Sequence, residues 1–233
     1  MLLADIGNTR IHIYNGKEVI HLSHQEAIEQ YADKKLKYIT VKHQLKERLN
    51  SLKNWTDISD KIRIKNEYET MGIDRKALCL SYPNGIFVSA GTAITVDVVE
   101  EGVYQGGFLL LGLRAYIDAY ASISPALKIE LDREIDLNLL PVGTRDGISY
   151  GILNSIKAII NILQNFLESE ASAPNITRLK PSFPNFERGL IDKHKNTKQL
   201  YITGGDGKFL SSFFEGAIFD ERLIFLGMQR SLI

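Results

Sequence analysis

One pattern occurs twice in this chain. Leu2-Leu3-Ala4 is an apolar run, Asp5-Ile6-Gly7-Asn8-Thr9-Arg10 a polar turn, and Ile11-His12-Ile13 alternates apolar and polar residues. Ile86 to Ala90 is again largely apolar, Gly91-Thr92 is again a turn, and an alternating stretch again follows to Val99. Alternation at period two marks a half-buried strand. Each stretch therefore reads as strand, tight turn, strand. A repeated hairpin of this kind implies two related halves that face a common cleft. Pro83-Asn84-Gly85 is turn-forming and marks the boundary, dividing the chain into residues 1–84 and 85–233.

The polar turns carry the first chemistry. Gly7 permits backbone angles that a side chain would block. A turn rich in backbone N–H groups can cradle a phosphate, and a neighbouring carboxylate such as Asp5 can hold a hydrated Mg²⁺. The plainer alternative is a hairpin whose aspartate caps its own turn.

The bulk properties exclude several classes. Lys plus Arg and Asp plus Glu are 28 each, so there is no net charge to attract nucleic acid. The single cysteine, Cys79, rules out an intrachain disulfide and any multi-cysteine metal cluster. The five histidines show no metal-ligand spacing. No run of 18 apolar residues predicts a membrane span. Asp5 and Arg10 interrupt the apolar start, which argues against a signal peptide, and the expected location is the cytoplasm.

Along the chain, Asn15-Gly16 predicts a second turn in a strand meander. Helices are expected over 25–31 and 43–52, with a strand over 36–41 between them. Lys42, Lys46, Glu47, Arg48 and Lys53 read as a solvated face. Gly72-Ile73-Asp74-Arg75 places an acid and a base after a flexible residue, before a helical stretch, so Asp74 falls in a first helical turn. Gly106-Gly107 in apolar surroundings suggests a bulge or a close backbone approach. Residues 113–122 are expected to be helical and 129–140 a loop. Ile148, Ile152, Ile156, Ile159, Ile160, Leu163 and Leu167 form a strong helical stripe, for which Thr144 fits as N-cap. Residues 170–199 read as a basic excursion with a short helix near Ile191. Thr203-Gly204-Gly205 then ends a strand in a glycine turn against which a flat base can lie.

Taken in order, these motifs resemble the type III pantothenate kinases of the acetate and sugar kinase, Hsp70 and actin superfamily. The resemblance spans nearly the whole chain. It implies two RNase H-like, actin-like halves, each a mixed α/β sheet flanked by helices, with ATP in the cleft between them. It assigns Asp5, Ile6, Gly7, Asn8, Thr9, Arg10, Ile11 and His12 to the first phosphate loop, Thr92 to the second, and Gly204 and Gly205 to the adenosine. It makes Asp74 the general base, and Gly72, Ile73, Asp74, Arg75, Tyr68 and Thr144 the pantothenate site, with Thr144 reaching it across a homodimer interface. Asp5 would organise Mg²⁺ through water. The implied activity is ATP-dependent phosphorylation of pantothenate, the first step of coenzyme A biosynthesis, with no nucleic-acid or membrane partner. The alternatives are a sugar kinase of the same superfamily and a silent nucleotide-binding regulator. One position departs from the family: an aspartate associated with K⁺ or NH₄⁺ is replaced by Ser89. A hydroxyl can ligate such a cation but brings no charge.

Overall fold

The computed structural model describes residues 1–172 and 198–233, so the helix expected near Ile191 lies outside the described residues. Two five-stranded sheets are built to one plan. In the first, β1 (Leu2–Ile6), β2 (Ile11–Tyr14) and β3 (Val19–Leu22) form an antiparallel meander, while β4 (Leu36–Thr40) and β5 (Trp55–Asp57) run parallel to β1. In the second, β6 (Gly85–Ala90), β7 (Ala93–Glu100) and β8 (Val103–Leu111) repeat the meander, and β9 (Leu200–Thr203) and β10 (Ile218–Phe219) repeat the parallel pair. The strand orders are β3-β2-β1-β4-β5 and β10-β9-β6-β7-β8, the same order read from opposite edges. The repeated hairpins are thus the first two strands of each half, as their sequences imply.

Helices cover the outer faces. α1 (His24–Tyr31) and α2 (Lys46–Asn50) pack on Ala4, Ile6, Ile11 and Ile13 of the first sheet. Ser23 caps α1 through a capping box with Glu26, which places its start at His24. The expected helix over 43–52 is shorter, a 3₁₀ turn at His43–Leu45 leading into α2. On the second sheet, α4 (Leu113–Ile123), α5 (Thr144–Ser172) and α6 (Gly207–Ser211) cover Ile86, Val88, Ile94 and Val96. Ile148, Ile152, Ile156 and Ile160 of the α5 stripe are buried, whereas Ile159 is exposed. The helix begins one residue earlier than an N-capping Thr144 requires. The Gly147 amide donates to the Gly143 carbonyl, so Gly143 holds the cap and Thr144 is the first helical residue.

Between the sheets lie α3 (Ile73–Cys79) and α7 (Leu223–Arg230). They pack on each other and, through Leu3, Tyr14 and Ile39, on the inner face of the first sheet. Leu78, Cys79 and Leu223 meet Phe87, Val99 and Tyr104 of the second sheet. A Cβ on Gly227 would lie 1.7 Å from the Ala77 carbonyl oxygen, so the two helices touch backbone to backbone. The last helix thus closes against the first half, and α3 carries the Gly72–Arg75 motif into the centre of the molecule.

Candidate active site

The motif owes its glycine to space. A Cβ on Gly72 would lie 2.6 Å from Asp74 Oδ1. With that room, the Asp74 carboxylate folds back in the first turn of α3, where Oδ1 accepts from the Arg75 amide at 2.9 Å. Burial pushes the Asp74 carboxyl up from its ordinary range, against the pull of that amide. Such a shift favours proton acceptance over permanent charge.

Arg75 is buried and nearly spent. Its Nε donates to Asp97 Oδ2 at 3.1 Å and its Nη2 to Asp97 Oδ1 at 2.5 Å. Nη2 also reaches the Tyr104 hydroxyl at 3.2 Å, and Nη1 donates to the Tyr68 hydroxyl. Among the described residues, four of the five guanidinium N–H groups therefore have protein acceptors, and one has none. Burial opposes the charge of Arg75, but hydrogen bonding to Asp97 overcomes it and holds the guanidinium protonated. Asp97 fits because the residue opposite it in β8 is Gly107, where a Cβ would stand 2.5 Å from Asp97 Oδ1. The Gly106-Gly107 pair thus gives the close approach expected of it, and a register shift follows at Val98/Val99. Tyr68 is 41% exposed, the surface group of this cluster. Its segment is pinned by Lys76 Nζ on Glu67 Oε1 at 2.9 Å and by Asn66 Nδ2 on the Tyr104 carbonyl at 2.8 Å.

Asp5 lies at the end of β1, 7% exposed. Burial and the charge of Asp74 push its carboxyl up to about 7. Its Oδ1 is buried with no hydrogen-bond partner among the described residues. An orphaned carboxylate oxygen beside a second carboxylate fits a hard divalent cation or its water. Among the described residues, no group of three His, Cys, Asp or Glu could hold a metal by itself, so the remaining ligands would come from water and phosphate.

The first turn closes by the Gly7 amide on the Arg10 carbonyl at 3.0 Å. Asn8, Thr9 and Arg10 are exposed at its tip. The Ile6 and Ile11 side chains are fully buried on the outer face, so those residues can offer a ligand only their backbone. His12 shares the Asp5 face, and its Nδ1 lies 2.6 Å from His21 Nδ1. Burial, then His21 and Arg10, push His12 down to about 4, so it is neutral at pH 7 and brings phosphate no charge.

The second turn and the glycine turn are one unit. Gly204 adopts φ +93°, and a Cβ there would lie 2.5 Å from the Ala90 carbonyl oxygen. That same oxygen accepts from the Asp206 amide at 3.0 Å. Gly204 and Gly205 thus adjoin the hairpin that carries the exposed Thr92. Ser89 pairs in register with Thr95 on one side and Thr203 on the other. The three hydroxyls form a row across β7, β6 and β9, on the face that also bears Asp97. Thr95 Oγ1 is buried on the Asp97 side of this row, where its hydroxyl helps to hold the Asp97 carboxylate. A row of neutral oxygens fits a monovalent cation.

Thr144 is exposed at the head of α5 and makes no hydrogen bond to this cluster among the described residues. Ile73, half-buried, packs on the α7 side of the core. The resemblance groups Asp97 with the second phosphate hairpin but does not foresee its pairing with Arg75, although a lone buried acid in an apolar strand is itself a signal. Sequence reasoning also left Lys42 on a solvated face, whereas Lys42 Nζ donates to the Asn8 carbonyl at 2.6 Å.

Two sheets of one strand order, a polar turn heading each and a carboxylate pair between them define a two-half, actin-like α/β fold. The particular family follows from comparison with known proteins. The type III pantothenate kinase family model matches residues 39–165. A type III pantothenate kinase of Helicobacter hepaticus is 36% identical over 233 residues, covering 100% of this chain and 98% of that protein. One from Campylobacter jejuni is 34% identical over 230 residues, covering 99% and 95%. A crystal structure from Campylobacter jejuni, described as a Baf family transcriptional activator, matches with a TM-score of 0.73 and 31% identity over 100% of this chain and 97% of that one. The chain belongs to the type III pantothenate kinase family. Among the described residues, no helix is long and apolar enough to cross a membrane.

Proposed function

We infer that the chain transfers the γ-phosphoryl group of ATP to the primary hydroxyl of pantothenate, the first step of coenzyme A biosynthesis. Family membership supplies the substrates. The observation that carries the mechanism is the pair of carboxylates, buried Asp5 and half-buried Asp74, set close enough for the charge of Asp74 to add to burial in raising Asp5.

Phosphoryl transfer asks chiefly for alignment and for charge to be stabilised. The Gly7–Arg10 turn and Thr92 grip the phosphates from two sides, and Gly204 and Gly205 receive the adenosine. Asp5 is the residue that would hold Mg²⁺, which neutralises phosphate charge when bound. Asp74 orients the acceptor hydroxyl and takes its proton late in transfer, since a carboxylate is too weak to ionise an alcohol beforehand. Asp97 fixes Arg75, which in turn fixes the Tyr68 hydroxyl at the exposed edge of the acceptor site. The Arg75 N–H that has no acceptor among the described residues would serve a pantothenate oxygen. Ser89, Thr95 and Thr203 are the residues that would hold K⁺ or NH₄⁺.

The enzyme acts as a homodimer in this reading. Leu109 and Leu111 on the edge strand β8, 57% and 47% exposed, together with Leu139, Leu140 and Val142, supply the apolar surface for it. Thr144 of one subunit then completes the other's acceptor site. Assay of the purified chain with ATP, Mg²⁺ and a panel of pantothenate and sugar acceptors tests the reaction. Product from pantothenate alone is expected; product from a sugar alone, or none from any acceptor, contradicts it. Light scattering at assay concentrations tests the dimer, and a monomeric mass contradicts it.

A further inference from the structure

Three consecutive carbonyls at the first turn are each held from outside. The Ile6 carbonyl accepts from the Val41 amide at 3.2 Å. The Gly7 carbonyl lies 2.9 Å from His24 Nε2, and the Asn8 carbonyl accepts from Lys42 Nζ at 2.6 Å. A carbonyl can only accept, so His24 carries a proton on Nε2. His24 opens α1 and Lys42 follows β4, so the two residues reach the turn from different elements. Both are half-buried. Lys42 is itself braced, its amide donating to Thr40 Oγ1 at 3.0 Å.

Peptide planarity turns these contacts into a statement about the amides. In a trans peptide the C=O and the following N–H point in opposite directions. The Ile6–Gly7 unit shows this directly, with its carbonyl on Val41 and its amide on the Arg10 carbonyl. A Gly7 carbonyl fixed on His24 therefore aims the Asn8 amide away from His24. An Asn8 carbonyl fixed on Lys42 aims the Thr9 amide away from Lys42. Neither amide has a protein acceptor among the described residues. Two outward-held carbonyls thus leave two unpaired donors at the tip of the turn, an anion-binding arrangement.

We propose that His24 and Lys42 are positioning residues for ATP, which hold the Gly7 and Asn8 carbonyls so that the Asn8 and Thr9 amides face the phosphates. The inference rests on the kinase reading of this site, but its test is nucleotide binding alone. Binding of ATP, ADP and adenosine is measured by calorimetry on the full chain with Mg²⁺, for His24→Phe and Lys42→Met and for the donor-retaining His24→Gln and Lys42→Arg. The first pair weakens ATP and ADP about 10-fold each, the scale for losing well-aimed donors to a charged group. Adenosine affinity stays within about twofold, because no phosphate is present to use the amides. The donor-retaining pair recovers most of the loss. The Lys42→Met defect persists at about 0.5 M salt, where a charge acting at a distance is screened.

Equal weakening of adenosine and ATP, or unchanged ATP affinity in folded variants, overturns the proposal. So does a Lys42→Met defect that vanishes with salt, which makes Lys42 a charge and not a brace. Thermal melting accompanies each titration to confirm that the variants are folded. Should the acceptor assay fail while these titrations behave as stated, the functional reading falls and this one stands.

Discussion

Asp97 of β7 accepts from both Nε and Nη2 of Arg75 in α3, and the pair is sealed from solvent. The strand that leaves the Gly91-Thr92 turn is thereby tied to the helix that carries Asp74, the proposed general base. Removing one partner strands the other charge in the interior. Asp97→Ala is expected to cost about 3–5 kcal/mol, the usual scale for breaking a buried pair. The double variant Arg75→Met/Asp97→Leu recovers much of that stability but not turnover. Denaturant melts and steady-state rates of the two variants check this. A double variant as unstable as Asp97→Ala would mean that the ion pair is not what destabilises the single one.

Asp74→Asn keeps the size of the side chain and removes the proton acceptor. Turnover is expected to fall by about 10²-fold or more, the scale of general-base loss. ATP affinity and melting temperature stay close to those of the unmodified chain. A near-normal rate in this variant would end the assignment of Asp74 as base.

Asp5 gives stability a pH dependence whose sign is fixed by its shift. Its carboxyl ordinarily titrates near 3.8 and is pushed up to about 7 in the fold. The folded state therefore holds this proton more tightly than the unfolded state. The stability that Asp5 contributes is complete below its unfolded value and is lost as pH rises to about 7. The slope is about 1.4 kcal/mol per pH unit in that window. Asp5→Asn carries no such loss, so its melting temperature relative to the unmodified chain climbs from pH 5 to pH 8. Mg²⁺ with nucleotide narrows the gap at pH 8 by stabilising the ionised form. A gap that does not change with pH would place the Asp5 proton elsewhere.

The fold was legible because its signal is repeated and local. The two hairpins, the α5 stripe and the turn at Pro83-Asn84 are each set by neighbours in sequence, and the strands and helices form close to where periodicity puts them. The local geometry of Gly72, Asp74 and Arg75 is legible because the three lie within four residues. What sequence did not show is who faces whom. Lys42 belongs by composition to a solvated face, yet the end of β4 beside β1 carries it to Asn8, 34 residues away. Thr95 reads as an ordinary strand threonine until the pairing of β6 with both β7 and β9 sets it beside Ser89 and Thr203. Arg75 reads as a ligand clamp until Asp97, 22 residues away, takes its fork.

Gly227 tests the contact between the two central helices. A Cβ at this position would meet the Ala77 carbonyl oxygen at 1.7 Å, and backbone cannot rotate aside as a side chain can. Gly227→Ala is expected to cost about 1–3 kcal/mol, the range for overpacked cores. Since α3 carries Asp74, turnover falls as well at temperatures where the variant is still folded. A variant that melts with the unmodified chain would show that α3 and α7 separate freely.

Ser89 is the proposed position for a monovalent cation. Ser89 lies in register between Thr95 and Thr203, on the face that bears Asp97. Neutral oxygens hold a monovalent ion more weakly than a carboxylate does, so K⁺ should activate the unmodified enzyme only at high concentration. Ser89→Asp adds a charge within the same row, and K⁺ activation should then saturate at lower concentration. Thr95→Val removes one oxygen at nearly constant volume, and activation should weaken. If no cation binds here, the new carboxylate instead repels the ATP phosphates and raises the ATP KM whatever cation is present. The measurement is a titration of K⁺ against Na⁺ at constant ionic strength for all three proteins. Tight K⁺ activation of the unmodified chain, unmoved by either substitution, would place the cation away from this row of hydroxyls.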